Sequence, residues 1–357
     1  MRIPQITFTR FIAAIAIVIF HYGKNIFPFN NLTISKFIGI SNTGVSYFFL
    51  LSGFILAIVY FNREKTKKGS FYLARFARIY PVYLIALFGY LFFVLYFGIT
   101  EFAIVPTILT LLLFQAWTPE HATALNSPGW SLSIEAFFYL CFPFIILIFK
   151  KLSLIQIAIT CFVLWAISLG IHIYLVETYG VSDKLWHHFI YYNPLMHLST
   201  FIFGVGGGII FLSLNKEKLK RFTLPIMLST LFIFCVLVLS APNFLHYHHN
   251  GMFAPLFLLF LIALSADKSI VAKTLAFKPL EVLGEISYGI YILQIPVHSF
   301  TYKIMAHFNL PVGSTIKFYL YLFILITTSY LSFYLFETPI RKKIRKLLTP
   351  KVTPINN

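Results

Sequence analysis

The chain has 357 residues, of which 59% are hydrophobic and only 11% charged, against about a quarter charged in an average soluble domain. With a mean hydropathy of +0.84, these values exclude an ordinary soluble domain and point to a polytopic membrane protein. The formal net charge of +17 comes with no basic-aromatic nucleic-acid motif, so the excess reads as a topology signal and no nucleic-acid partner is expected.

Apolar runs predict spans near 6–27, 42–61, 78–98, 102–117, 130–149, 152–174, 193–212, 223–240, 252–266, 282–300 and 316–336. No open sheet edge survives in lipid, so the spans are helices and the expected fold class is all-α. The first run lacks a small-residue cleavage site and leads straight into His21 and Tyr22, so it is read as a span and not as a signal peptide. Basic residues gather at Arg63, Lys65, Lys67, Lys68, Arg75 and Arg78, at Lys150 and Lys151, in KEKLKR at 216–221, at Lys268, Lys273 and Lys278, and in the tail from Arg341. The positive-inside rule puts all of these on the cytoplasmic side, which ten crossings satisfy and eleven do not. The run 102–117 is the one expected not to cross. It is short, contains Pro106, and is flanked by Glu101 and Glu120 with no lysine or arginine. It is expected to be re-entrant or interfacial. Both termini are then cytoplasmic, and of the 28 basic residues only Lys24, Lys36, Lys184, Lys303 and Lys317 fall outside. The expected organisation is one transmembrane domain over 1–340, with about ten helices plus the short one, and a basic cytoplasmic tail over 341–357.

Arg10 and His21 stand eleven residues apart on the first span. That is close to three turns, so both project from one face about 16 Å apart along the axis. Ionisable groups inside a span are costly and usually functional. The alternatives are an arginine snorkelling to the interface and a hydrogen-bonded core histidine. Arg75 and Arg78, in FYLARFARIYP, are neighbours on one helix face where the basic loop enters the third span. They suit a phosphate-bearing donor, or else anchor the helix at the membrane surface. In SPGWSLSIEAFFYL, Trp130 fits an interfacial position. Glu135 of the same segment lies one and a half turns into a span and needs a partner, either a catalytic histidine or arginine or a structural one. In LGEISYGIYILQIPV, Ser287, Tyr288, Tyr291 and Gln294 place polar groups on an apolar helix, either lining a cavity or joining helices.

The remaining histidines fall in loops or toward one set of helix ends, where the plain reading is that imidazole tolerates interfaces. The cluster HYHHN at 246–250 matches no standard metal-ligand spacing. Cys141, Cys161 and Cys235 lie inside apolar runs and read as packing residues.

Taken in order, RFIAAIAIVIFH, GVSYFFLLSGFIL, ARFARIYP, WSLSIEAFFY, LGEISYGIYILQIPV and FETPIRK resemble the acyltransferase-3 family of integral membrane O-acyltransferases. The resemblance runs over nearly the whole length. It implies transfer of an acyl group, most often acetyl, from cytoplasmic acyl-CoA to a hydroxyl of an extracytoplasmic glycan or lipid-linked sugar such as O-antigen, exopolysaccharide or peptidoglycan. It also implies a bacterial inner (plasma) membrane, with polysaccharide-assembly proteins as partners, and no metal is expected. Carried over by motif, His21 is the catalytic histidine and Glu135 the acidic catalytic position. Arg10, Arg75 and Arg78 handle the donor, and Trp130, Tyr288 and Gln294 are expected on the substrate side. Many members have histidine where Gln294 stands, and glutamine does not titrate near neutral pH. Some members carry a hydrolase-like domain after the last span. None is expected here, which leaves acceptor positioning to the membrane domain or a partner protein. A competing reading is a proton-coupled transporter or flippase of a glycan precursor, which also uses buried arginine, histidine and glutamate. Against it, the sequence has no internal repeat and no paired broken helices. A third is a structural component of a polysaccharide-assembly complex.

Overall fold

The computed structural model describes residues 3–63, 68–99, 103–180, 182–240 and 244–348. Arg2, Lys65, Lys67, Glu101, the side chain of His246 and the tail beyond Leu348 lie outside the described residues. The described residues form α-helices with short 3-10 turns and no strand. In chain order the helices are α1 (Thr7–Tyr22), α2 (Leu32–Gly39), α3 (Thr43–Tyr60), α4 (Lys68–Tyr96), α5 (Ile104–Leu111), α6 (Trp130–Phe149), α7 (Leu154–Tyr179) and α8 (Lys184–Tyr192). They continue as α9 (Pro194–Ser213), α10 (Lys216–Leu219), α11 (Thr223–Ser240), α12 (Ala254–Ala266), α13 (Ile270–Leu275), α14 (Lys278–His307), α15 (Ser314–Ser332) and α16 (Thr338–Leu348).

Eight helical segments among the described residues are long and apolar enough to cross a bilayer. α12 is shorter, at 13 residues. α14 has 30 residues and reaches about 45 Å at 1.5 Å per residue. These ten coincide with the ten expected crossings. The chain is an integral membrane protein.

The run 102–117 forms only the eight-residue α5, about 12 Å long and too short to span. The chain then returns into the bundle through 3-10 turns. Irregular backbone at membrane depth must find its partners within the protein, and it does. Tyr83 donates to the Thr110 carbonyl at 2.6 Å and Tyr80 to that of Leu111 at 3.0 Å. Ser133 donates to the Leu113 carbonyl at 2.5 Å. Gln115 Nε2 reaches the Gly129 carbonyl at 2.9 Å, and Asn126 Nδ2 reaches that of Ile292 on α14, also at 2.9 Å. These bonds fix the entrance of α6, which carries Trp130 and Glu135.

α3 is the central helix and packs along α9. A Cβ at Gly204 would overlap the Leu50 carbonyl oxygen, so only glycine lets these two backbones meet. α1 lies between α3 and α14. Gly284 gives α14 the same intimacy with the Thr7 carbonyl at the start of α1. α7 and α11 are peripheral and expose apolar rows such as Ile155, Ile159 and Phe162, as a lipid-facing surface requires.

Two boundaries differ from expectation. α4 starts at Lys68, ten residues before the expected 78, so Arg75 and Arg78 lie inside the helix and not at its mouth. The cause is packing: Phe71 is buried against Tyr60 and Phe142, with ring centroids 5.2 and 5.4 Å away, which draws the preceding turns into the helix. The last span also does not stop near 336. It passes through a π-helical turn, Phe333–Glu337, into α16.

Candidate active site

Two cavities lie end to end along α1, and α1, α3, α6 and α14 all contribute to both or sit at their junction. The first holds about 60 Å³ and is lined by Arg10, Arg78, Glu135, Ser52 and Tyr288, among apolar side chains of α3. The second holds about 360 Å³ and is lined by His21, Trp130, Gln294, Asn42, Tyr191 and Tyr192, together with His187, His248 and His249. Val45 of α3 and Tyr291 of α14 line both, so they form the junction.

In the small cavity, Glu135 is fixed on two sides. Ser52 donates to its Oε1 at 3.3 Å, and the Tyr139 hydroxyl donates to the same oxygen. Arg10 and Arg78 line the cavity with no hydrogen-bond partner among the described residues, so their donors are available to an oxygen-bearing guest. Arg75 stands outside, with its guanidinium 5.9 Å from the centroid of the Tyr139 ring and its buried Nε unpartnered among the described residues. The expected side-by-side pair is therefore divided: Arg78 faces the cavity and Arg75 backs the tyrosine that holds Glu135.

In the large cavity, His21 sits in the last turn of α1 as an exposed residue that lines the cavity and has no hydrogen bond among the described residues. Trp130 is buried, with its ring centroid 4.8 Å from that of Tyr192 and 5.8 Å from that of His249. Gln294 donates from Nε2 to the Tyr291 carbonyl at 2.7 Å. Its buried Oε1 has no partner among the described residues.

The structure thus joins Arg10, Arg78, Glu135 and Tyr288 in one cavity and His21, Trp130 and Gln294 in the other. Of the two partners expected for Glu135, arginine or histidine, the cavity brings it to the arginines. Tyr288, expected on the substrate side, is also there, and donates to the Ile79 carbonyl at 2.5 Å.

Sequence reasoning missed several groups. Ser52 reveals itself only across helices, whereas Tyr139 stands four residues after Glu135 on the same helix, a spacing the sequence displays. Glu337, inside the FETPIRK motif, is a buried carboxylate with Oε1 unpartnered among the described residues, and the charges that act on it include Arg341, Arg10 and Arg78. The histidines read as interfacial are partly core. His172 and His197 are fully buried, and Asn250 Nδ2 donates to His172 Nδ1 at 3.0 Å while Asn250 Oδ1 pairs with His249 Nδ1 at 3.0 Å. Among the described residues no group of three or more His, Cys, Asp or Glu side chains is placed to hold a metal ion, and the His246 side chain of HYHHN lies outside them.

A family model described as an acyltransferase domain matches residues 3–336. The chain therefore belongs to the acyltransferase-3 family. It is 26% identical to the O-acetyltransferase OatA of Staphylococcus aureus over 96% of its own length and 57% of that protein. It is 25% identical to the peptidoglycan O-acetyltransferase OatA of Listeria monocytogenes over 95% of its length and 56% of the relative. The acyltransferase MdmB of Streptomyces mycarofaciens is 35% identical over 159 residues, which are 40% of this chain and 39% of that protein. The chain thus spans about half the length, or less, of these curated relatives. No solved structure matches it.

Proposed function

We propose that this chain is a membrane O-acetyltransferase that carries an acetyl group from cytoplasmic acetyl-CoA to a hydroxyl of an extracytoplasmic glycan or lipid-linked sugar. The observation that carries this reading is the junction at Val45 and Tyr291, which joins the arginine cavity to the one lined by His21. A thioester entering by the first meets an alcohol entering by the second. The two OatA relatives, both O-acetyltransferases by name, support the same chemistry.

The narrow cavity suits the thin arm that leads to the acyl group, with Arg10 and Arg78 donating to carbonyl oxygens along that arm and the thioester reaching the junction beyond them. Glu135 balances their charge from a carboxylate held by Ser52 and Tyr139. The wider cavity, walled by Trp130, Tyr191 and Tyr192, offers aromatic faces to a sugar, and the free Oε1 of Gln294 accepts from a sugar hydroxyl. His21 takes the proton of the acceptor hydroxyl as its oxygen attacks the thioester carbon. The C–O bond forms, the C–S bond breaks, and the imidazolium returns the proton to the departing thiolate. In the covalent variant of this step, the ring nitrogen first accepts the acetyl group and then passes it to the hydroxyl.

The test is purified protein with labelled acetyl-CoA and a glycan acceptor. Wild type should move label to the acceptor, and His21→Ala should lose at least about 100-fold in rate while accumulating normally. Near-normal transfer by that variant would overturn the assignment. Label retained on acid-quenched protein would select the acyl-imidazole route.

A further inference from the structure

A third cavity, of about 110 Å³, lies at the end of the bundle where α3 finishes, α4 starts and α6 finishes. It is lined by Arg63, Lys68 and Lys150 together with Tyr60, Phe71 and Phe142. The Arg63 guanidinium covers the Tyr60 ring at 4.5 Å from its centroid, and Lys150 Nζ donates to the Arg63 carbonyl at 2.9 Å. Among the described residues no carboxylate lines this cavity. Three cations beside an aromatic wall suit a nucleoside phosphate. Arginine and lysine meet the phosphates, while Arg63, backed by the Tyr60 ring, offers its outer flat face to a purine.

The position of this cavity matters as much as its chemistry. On α3, Leu56 lines the arginine cavity and Tyr60, one turn on, lines the basic one. On α4, Arg78 lines the first and Phe71, about 10 Å along the axis, the second. On α6, Glu135 lines the first and Phe142 the second, again about 10 Å away. Three helices therefore carry the two cavities in the same order. Arg75 and Tyr139, whose pairing is described above, occupy the interval between them.

We propose that Arg63, Lys68 and Lys150, with Tyr60, form the site for the phosphorylated nucleotide end of the acyl donor, which leaves Arg10 and Arg78 to the arm that leads to its acyl group. This rests on the proposed use of acyl-CoA and adds a second anchor to it. The same phosphate chemistry belongs to an anionic lipid headgroup, so the experiment separates the two.

The probe is adenosine 3′,5′-bisphosphate, which carries the nucleotide end without the thiol arm, used as a competitor of acetyl-CoA on the full chain in neutral detergent and in vesicles with and without phosphatidylglycerol. Wild type should be inhibited in neutral detergent. Arg63→Ala and Lys150→Gln should each raise KM for acetyl-CoA and weaken this inhibition at least about tenfold, because each removes one charged contact. Turnover of the nucleotide-free thioester S-acetyl-N-acetylcysteamine should stay unchanged, which also shows that the variants are folded. Equal inhibition of wild type and variants would overturn the proposal, as would an effect that appears only with phosphatidylglycerol, which assigns the cavity to a lipid. If wild type itself neither uses acetyl-CoA nor binds the bisphosphate, the donor reading fails together with this one; acetyl-CoA use with unchanged variants sinks the second anchor alone.

Discussion

Arg10 and His21 were readable as a pair because both belong to one helix, and helical spacing turns eleven residues into a shared face. Their separation into two chambers was not readable, since the wall between them, Val45 and Tyr291, comes from two other helices. The same limit explains Glu135. Its position in the sequence announces a buried carboxylate that needs partners, but of those partners only Tyr139, one turn along α6, shows in the spacing, while Ser52 on α3 is chosen by packing. Arg75 and Arg78 look equivalent in the sequence and are not so in the fold. Arg78→Ala removes a donor that lines the cavity, and should lower kcat/KM for acetyl-CoA by about 10- to 100-fold, the worth of one hydrogen bond to a charged group. Arg75→Ala acts only through Tyr139 and should cost less than a third as much. Side-by-side kinetics of the two variants decide this, and equal losses would contradict the division of roles.

At the level of elements, the helices were legible wherever long apolar runs met charged ends, and the failure of 102–117 to span was legible from its length and lack of flanking cations. Less legible was the start of α4, because the amphipathic turn before Arg75 is drawn into the helix by Phe71 rather than by its own propensity. The close approach of α3 to α9 was hidden for a related reason: a glycine in an apolar run gives no sign of which backbone it will meet. Gly204→Ala should lower the thermal midpoint of the detergent-solubilised protein, with a cost of about 1–3 kcal/mol from the clash with the Leu50 carbonyl. Gly170→Ala on the peripheral α7 meets nothing within 4 Å and should leave the midpoint unchanged. A thermal-shift comparison of the two variants tests whether α3 and α9 form the rigid centre against which the cavities are held.

For the molecule as a whole, the account requires the two ends of the bundle to face different compartments. Arg63, Lys68 and Lys150 gather at one end, and His187, His248 and His249 line the cavity at the other. The positive-inside rule predicts that the basic end faces the cytoplasm. In a variant whose three cysteines are replaced, Lys184→Cys should react with a membrane-impermeant maleimide in intact cells, and Lys273→Cys only after permeabilisation. The reverse pattern would invert the topology and put the donor on the wrong side. The number and order of the helices were legible because a bilayer demands long apolar runs, whereas the meeting of the two cavities is a property of the packed bundle alone. The proposed transfer between the cavities is tested most directly by filling their junction. Val45→Trp should abolish transfer of label from acetyl-CoA to the acceptor while leaving acetyl-CoA affinity intact, and Val45→Ala should retain transfer. Undiminished transfer by Val45→Trp would show that the acetyl group does not pass between the two cavities.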